Sequence, residues 1–108
     1  MEKVLITGGT GLLGKEIVKG FIKKNKKVYF TSTSKEKSKR FLKTLGIKYQ
    51  RNCIPIVQKF NSIDDINFFL QKYKNLNFNF LINNARDISN LKILMFNIFM
   101  TNPQKSCL

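Results

Sequence analysis

Val4-Leu5-Ile6-Thr7-Gly8-Gly9-Thr10-Gly11-Leu12-Leu13-Gly14 is the stretch whose reading decides the fold. Three apolar residues lead into a glycine-rich turn, and apolar residues at helical spacing resume directly after it. A short buried strand that turns sharply into a helix has this form. Within the turn, Gly9-x-Gly11-x-x-Gly14 keeps the spacing of a loop that cradles the phosphates of a dinucleotide. Gly9 is expected to allow the tight turn and Gly11 to let the backbone approach a pyrophosphate. Gly14 is expected to let the helix pack closely on the strand. Free N–H groups at the helix start, together with the positive end of its dipole, would then face the phosphates. The predicted contacts from this segment are Gly8, Gly9, Thr10, Gly11, Leu12, Leu13 and Gly14.

Outward from the turn, Leu12, Leu13, Ile17, Val18, Phe21 and Ile22 continue the helical spacing until it fades at Lys24-Asn25. Val28-Tyr29-Phe30-Thr31 reads as a second strand, rich in β-forming residues. Ser32-Thr33-Ser34 is a polar turn suited to capping a second helix. That helix would bury Phe41, Leu42 and Leu45 and end on Gly46 as its C-cap. Cys53-Ile54-Pro55-Ile56-Val57 is a third strand, and Pro55 suits an edge because it has no N–H for a ladder. Ser62 caps a third helix, with Asp64 and Asp65 complementing its N-terminal end. Ile63, Ile66, Phe69, Leu70 and Tyr73 form its expected buried face. Residues 78–82 read as a fourth strand, with Asn83-Asn84-Ala85-Arg86 at its C-terminal end. A nearly all-apolar helix over residues 89–100 follows, stopped by Pro103.

Strict alternation of strand and helix with short connections implies a parallel sheet with right-handed crossovers and helices on both faces. The expected fold is α/β: a Rossmann-like doubly wound sheet of four strands, order 3-2-1-4, in a single domain over residues 1–108.

Composition narrows the functions this fold can serve. Twenty Lys and Arg face six Asp and Glu, for a net charge of +14. Such a balance often accompanies nucleic acid or anionic membranes. Here the cations are scattered along the chain, and only Arg40, Arg51 and Arg86 are arginine, the residue that base and phosphate recognition favours. A generally basic, solvated surface is the better reading, and nucleic acid is disfavoured as a partner. With no histidine, His-based catalysis and most zinc sites are removed. Cys53 and Cys107 match no metal-ligand spacing, so no metal site is expected. No run reaches the ~20 apolar residues of a membrane span, and the opening apolar run is too short for a signal peptide. A cytoplasmic location with reduced thiols is the expectation.

Two motifs together resemble the short-chain dehydrogenase/reductase family. Thr7-Gly8-Gly9-Thr10-Gly11-Leu12-Leu13-Gly14 is similar to the family's TGxxGxxG cofactor turn, and Asn83-Asn84-Ala85 to the signature that ends its fourth strand. The resemblance covers residues 3–103 and implies an NAD(P)-binding Rossmann fold whose parent reaction is hydride transfer between the cofactor and a carbonyl or alcohol. It further implies that Asn83, Asn84 and Ala85 lie against the adenosine ribose and support the sheet. A carboxylate after strand two would favour NAD(H) by binding the ribose diol. The chain has Thr31-Ser32-Thr33-Ser34-Lys35 there instead. Hydroxyls and a lysine suit a 2′-phosphate, so NADP(H) is favoured over NAD(H), with Ser32 and Thr33 as contacts.

The chain also departs from the family. Lys59 stands where an adenine-contacting Asp is common, Arg86 replaces the usual Gly, and Phe99 replaces an expected Asn. The family's catalytic Tyr-x-x-x-Lys is missing: Tyr29, Tyr49 and Tyr73 are followed four residues later by Thr33, Cys53 and Asn77. No catalytic residue is therefore assigned. The reading is the cofactor-binding portion of an oxidoreductase, resembling a truncated product or one half of a split gene. The alternative is a non-catalytic dinucleotide-binding fragment or a module that works with a partner. Strand four is expected at an unpaired edge, which predicts self-association or a missing C-terminal half.

Overall fold

The computed structural model describes residues 1–84 and the short strand Ser106–Cys107. Expectations for Ala85, Arg86, Phe99 and the helix over residues 89–100 fall outside the described residues. In chain order the elements are β1 (Lys3–Thr7), α1 (Leu12–Lys23), β2 (Lys27–Ser32), α2 (Lys35–Thr44) and α3 (Ile47–Gln50). Then come β3 (Cys53–Val57), α4 (Ile63–Tyr73), β4 (Phe80–Asn83) and β5 (Ser106–Cys107).

The sheet is parallel in every pairing, with order β3-β2-β1-β4-β5, so it contains the expected 3-2-1-4 arrangement. Alternation along the strands explains why β1 and β2 are apolar through their centres. Successive side chains enter opposite layers, and both layers are covered. Val4, Ile6, Val28 and Phe30 pack with Val18 and Ile22 of α1 and Phe41 of α2. Leu5, Tyr29, Ile56 and Leu81 pack on the other face with Ile66 and Phe69 of α4. The sheet is thus sandwiched between helices, the doubly wound architecture. Pro55 lies in β3, opposite Phe30 and at the end of the strand order, where its missing N–H leaves no gap inside the sheet.

Helix ends follow local chemistry. Asn25 takes a left-handed φ of 63° just after α1. Its N–H donates to Ile22 O, and the Lys26 N–H reaches Phe21 O, the paired bonds of a Schellman close. Asparagine tolerates this conformation better than other non-glycine residues. Ser34 Oγ accepts from the Lys37 N–H at the start of α2, and Ser62 Oγ from the Asp65 N–H at the start of α4.

Several expectations are corrected. Gly46 does not close α2 in a left-handed turn: Leu45 is the C-cap, and Gly46, with φ −66°, opens the additional short helix α3. Ile63 is 55% exposed rather than part of the α4 core face, whose buried residues are Ile66 and Phe69. Strand β4 starts at Phe80; Phe78 precedes it and is buried edge-on against Tyr29, ring centroids 5.3 Å apart. The outer edge of β4 is not bare. Phe80 and Leu81 pair with Ser106 and Cys107, so backbone groups expected to stand open take partners from the chain's own tail.

Phe30 joins this core to the glycine turn, since it is fully buried, edge-on to Phe41 at 5.4 Å, and packed directly under Gly9. Phe30→Ala is expected to lower unfolding free energy by about 3–5 kcal/mol in urea denaturation. A loss below about 1 kcal/mol would contradict the packing described.

Candidate functional site: a cleft at the carboxyl ends of the strands

Strand β1 ends at Thr7, and the chain must reverse within a few residues to lay α1 back on the sheet. Gly8 makes the reversal with a left-handed φ of 71°, so it carries the tight-turn role that the spacing assigned to Gly9. Gly9 is required for a different reason. A Cβ there would meet Phe30 Cβ at 2.5 Å, so the turn lies against β2 with no room for a side chain. Two bonds hold it down: the Gly9 N–H donates to Thr31 O at 2.9 Å, and the Gly8 N–H to Thr31 Oγ1 at 3.1 Å. Sequence reasoning passed over Thr31 as an anchor; a buried hydroxyl at a strand end was the available signal.

Gly14 has the tightest surroundings. A Cβ on it would stand 2.2 Å from the Gly8 carbonyl oxygen and 2.9 Å from Asn84 Nδ2. The same Nδ2 donates to that carbonyl at 3.2 Å. On the β4 side, Thr7 Oγ1 accepts from the Asn84 N–H at 3.1 Å and donates to Asn83 Oδ1 at 3.0 Å. Asn83 and Asn84 therefore brace the turn from the neighbouring strand. Asn84 also lines the cleft, whereas Asn83 does not.

Gly11 differs from both. Its hypothetical Cβ has nothing nearer than the Gly8 carbonyl oxygen at 3.9 Å, so the space beside it is open. It is the N-cap of α1, supplies no side chain to cap the first-turn N–H groups, and no acid stands in that turn. Those donors and the helix dipole face the cleft without competition. Leu12 and Leu13, 91% and 65% exposed, leave the apolar face of α1 and line the cleft instead. Thr10 lines it beside them.

The cleft measures about 780 Å³ and runs from this helix start past the end of β2 to the segment after β3. Ser32 and Thr33 both line it, as expected, yet they offer different things. The Ser32 hydroxyl is occupied within the protein, 2.8 Å from Ser34 O and 2.6 Å from Ser38 Oγ, bracing the start of α2. Thr33 is exposed. Lys37, Gln58, Lys59, Phe60 and Asn61 complete the far end, and no acidic residue is among the lining groups. Lys37 was missed from sequence because its place one turn into α2 is not evident from spacing alone; Lys35 does not line the cleft.

The tyrosines serve packing. Tyr29 is in the core beside Phe78, Tyr73 lies against Phe69 at 4.8 Å, and Tyr49 packs on the α1–α2 layer. None of the three lines the cleft. Burial pushes the Cys53 thiol up to about 12, which keeps it protonated and unreactive within the core. Among the described residues there is no His/Cys/Asp/Glu cluster able to hold a metal, and no helix long and apolar enough to cross a membrane.

Gly14→Ala and Gly11→Ala should separate sharply in thermal or urea unfolding. The first forces backbone apart and is expected to cost about 2–3 kcal/mol or more. The second meets only open space and should stay within about 1 kcal/mol of wild type. Equal effects would contradict the notch at Gly14.

Comparison with known proteins agrees with this geometry. The family model for short chain dehydrogenases matches residues 2–96. A search of curated proteins found no match. Among solved structures, ElxO with NADP bound is similar at TM-score 0.70 and 24% identity, over 94% of this chain and 48% of that one. A short chain dehydrogenase from Bacillus anthracis is similar at TM-score 0.64 and 29% identity, over 78% of this chain and 34% of that one. The yeast methylglyoxal/isovaleraldehyde reductase complexed with NADPH matches at TM-score 0.70 and 16% identity, over 92% of this chain and 33% of that one. The chain thus spans about half or less of the length of these structures. With the family match extending over most of its residues, the chain belongs to the short-chain dehydrogenase/reductase family.

Proposed function

We propose that this chain is the dinucleotide-binding part of a cytoplasmic NAD(P)-dependent oxidoreductase, with NADP(H) favoured over NAD(H). The observation that carries the proposal is the uncapped start of α1 beside the open space at Gly11, in a cleft at the carboxyl ends of the strands. Anions bind well at such a helix end, and open α/β sheets bind their ligands at this edge. The pyrophosphate would be held by backbone around Thr10–Leu13, and the adenosine end would extend toward Thr33. Ala85 would continue the ribose contact begun at Asn84. The preference for NADP(H) is supported by a cleft wall with two lysines and no carboxylate to bind a ribose diol. Similar folds named as holding NADP or NADPH give it further support.

When bound, the cofactor supplies hydride chemistry at a carbonyl or alcohol carbon. This chain's described residues bind and orient; they provide no phenol at the cleft to move a proton to or from the substrate oxygen. The proton donor and the substrate walls would come from a remaining part of the family fold or from a second chain. A specific observation also favours the second reading, a binding module without turnover: all three tyrosines stand at packing positions.

Titration of the purified chain with NADP+ should give saturable binding. Gly11→Leu should weaken it by at least about tenfold, since the added side chain enters the space a phosphate needs. The unfolding midpoint should hold nearly constant, because nothing of the protein occupies that space. Unchanged affinity would reject the turn as the site. The chain alone is expected not to oxidise NADPH in the presence of a carbonyl substrate. Carbonyl-dependent loss of NADPH absorbance would overturn the separation of binding from turnover.

A further inference from the structure

Along the sequence the cations are scattered, but the fold gathers many of them into one helical layer. α1, α2 and α3 pack on the same face of the sheet, through Val18, Ile22, Phe41 and Tyr49. Between Lys35 and Arg51 the only acid is Glu36. On the other face α4 is balanced: Asp64 and Asp65 open it, and Lys72 and Lys74 close it. Within α2, Ser38 and Phe41 are buried, which turns Lys39, Arg40 and Lys43 outward, and all three are exposed. Lys35, Lys39 and Lys43 stand at successive steps of four residues, a row of like charges along one side of the helix that opposes its formation. Among the described residues the ion pairs are Lys19–Glu16 and Lys26–Glu2, so none of the α2 cations is held in one. A surface of opposite charge relieves such a row.

The layer continues into α3 with an apolar residue in the open. Gln50 Nε2 donates to the carbonyls of Leu42 and Leu45, both at 3.0 Å, which ties α3 to the end of α2. Tyr49 packs into the core of this layer, and Lys48 lies over its ring at 5.7 Å. Ile47, at the start of α3, is 85% exposed, and Lys48 next to it is exposed as well. An apolar side chain held out among cations suits the boundary where lipid headgroups meet acyl chains. The cofactor cleft is separate, since Lys39, Arg40, Lys43, Ile47 and Lys48 do not line it.

We propose that the outer side of α2, with the start of α3, is a docking face for an anionic phospholipid surface. Lys39, Arg40, Lys43 and Lys48 meet the headgroups, and Ile47 enters the interface. The chain lies on such a bilayer without crossing it; among the described residues no helix is long and apolar enough to span one. Nucleic acid fits this face less well. Lysines are point charges suited to a diffuse sheet of headgroups, whereas groove recognition favours arginine. Unpaired bases need aromatic platforms, and among the described residues the exposed large aromatic is Phe68, on α4. Each lysine near an anionic leaflet strengthens binding by about fivefold, and salt screens the attraction.

The test is flotation of the purified chain with vesicles of equal parts phosphatidylglycerol and phosphatidylcholine, and with phosphatidylcholine alone. The chain should float with the mixed vesicles and stay behind from the neutral ones. The double variant Lys39→Gln, Lys43→Gln should lower the partition coefficient by at least about tenfold, and added salt should shrink that difference. Ile47→Ser should lower it by about threefold or more at every salt concentration where binding is measurable. Lys72→Gln with Lys74→Gln removes the same charge from α4 and should change it by less than about twofold. Equal losses from the two double variants would mean that net charge acts without regard to face, and would overturn the proposal. Failure to bind the mixed vesicles would overturn it too. Duplex DNA or RNA that strips wild type from the vesicles, while Ile47→Ser binds them as tightly as wild type, would assign the face to nucleic acid instead. Removing two like charges from α2 should leave the unfolding midpoint unchanged or slightly raised. A lower midpoint would assign these lysines to structure and overturn the proposal. NADP+ affinity should be equal across the variants, because none of the altered residues lines the cleft.

Discussion

The Gly8 carbonyl sits in the space that a side chain at position 14 would need, and much of the site depends on that one close approach. The carbonyl can be there only because α1 begins with a bare Cα at its third residue, which lets the helix press against the turn. It is kept there by Asn84, 76 residues away in sequence, whose amide donates to it. The hydroxyl of Thr7 then ties the backbone of Asn84 and the side chain of Asn83 to the last residue of β1. Three elements are therefore locked at one point: β1, α1 and β4. The glycine turn and the paired asparagines are two halves of one joint, which is why they are informative together. Neither asparagine would have this job without the turn, and the turn would lack its brace without them.

Most of the architecture was legible in the sequence because burial on both faces leaves a strong trace. Val4-Leu5-Ile6 and Val28-Tyr29-Phe30 are continuous apolar runs that make sense only between two helical layers. Ser34 and Ser62 were legible as caps for the same kind of reason, a polar residue just ahead of an amphipathic run. The errors share a cause as well. Gly46 and Ile63 were read by residue type, and type does not report where one element stops touching its neighbours. A glycine after an apolar helix ordinarily closes it, but here the chain starts another turn with ordinary negative φ.

The site itself was half legible. Spacing identified which backbone would meet phosphates, because that requirement is written in missing side chains. It could not identify Thr31 as the anchor, or show that Ser32 spends its hydroxyl on α2, because those facts depend on distances across the sheet. The lysines of α2 illustrate the same limit from the other side. As letters in the sequence they are among many scattered lysines. Their meaning comes from Ser38 and Phe41, whose burial turns Lys39 and Lys43 outward together. Charge counted over the whole chain says little about partners; charge gathered on one helical layer says a good deal.

Among the described residues, the three longer helices make the case for a ligand at α1 by contrast with one another. α2 begins with a serine that caps it and a glutamate in the first turn, and α4 begins with a serine and two aspartates. Both follow the local rules that satisfy free N–H groups and complement the dipole. α1 breaks them: Gly11 offers no cap, no acid follows, and two leucines stand exposed beside it. A capping serine in place of such a residue commonly contributes a few tenths of a kcal/mol, and a first-turn acid about 0.3–1 kcal/mol, so the omission weakens the fold slightly. The same chain uses these devices on α2 and α4, so α1 is the exception among the three. It coincides with a helix start that opens onto the cleft at the carboxyl ends of the strands. Donors left unsatisfied by the protein at that place are donors kept for an anion, and a cleft without acids lets the anion approach. Binding, on this view, is built in by what α1 withholds from itself. Turnover needs a proton donor aimed at the substrate, and no comparable arrangement of the three tyrosines supplies one at the cleft.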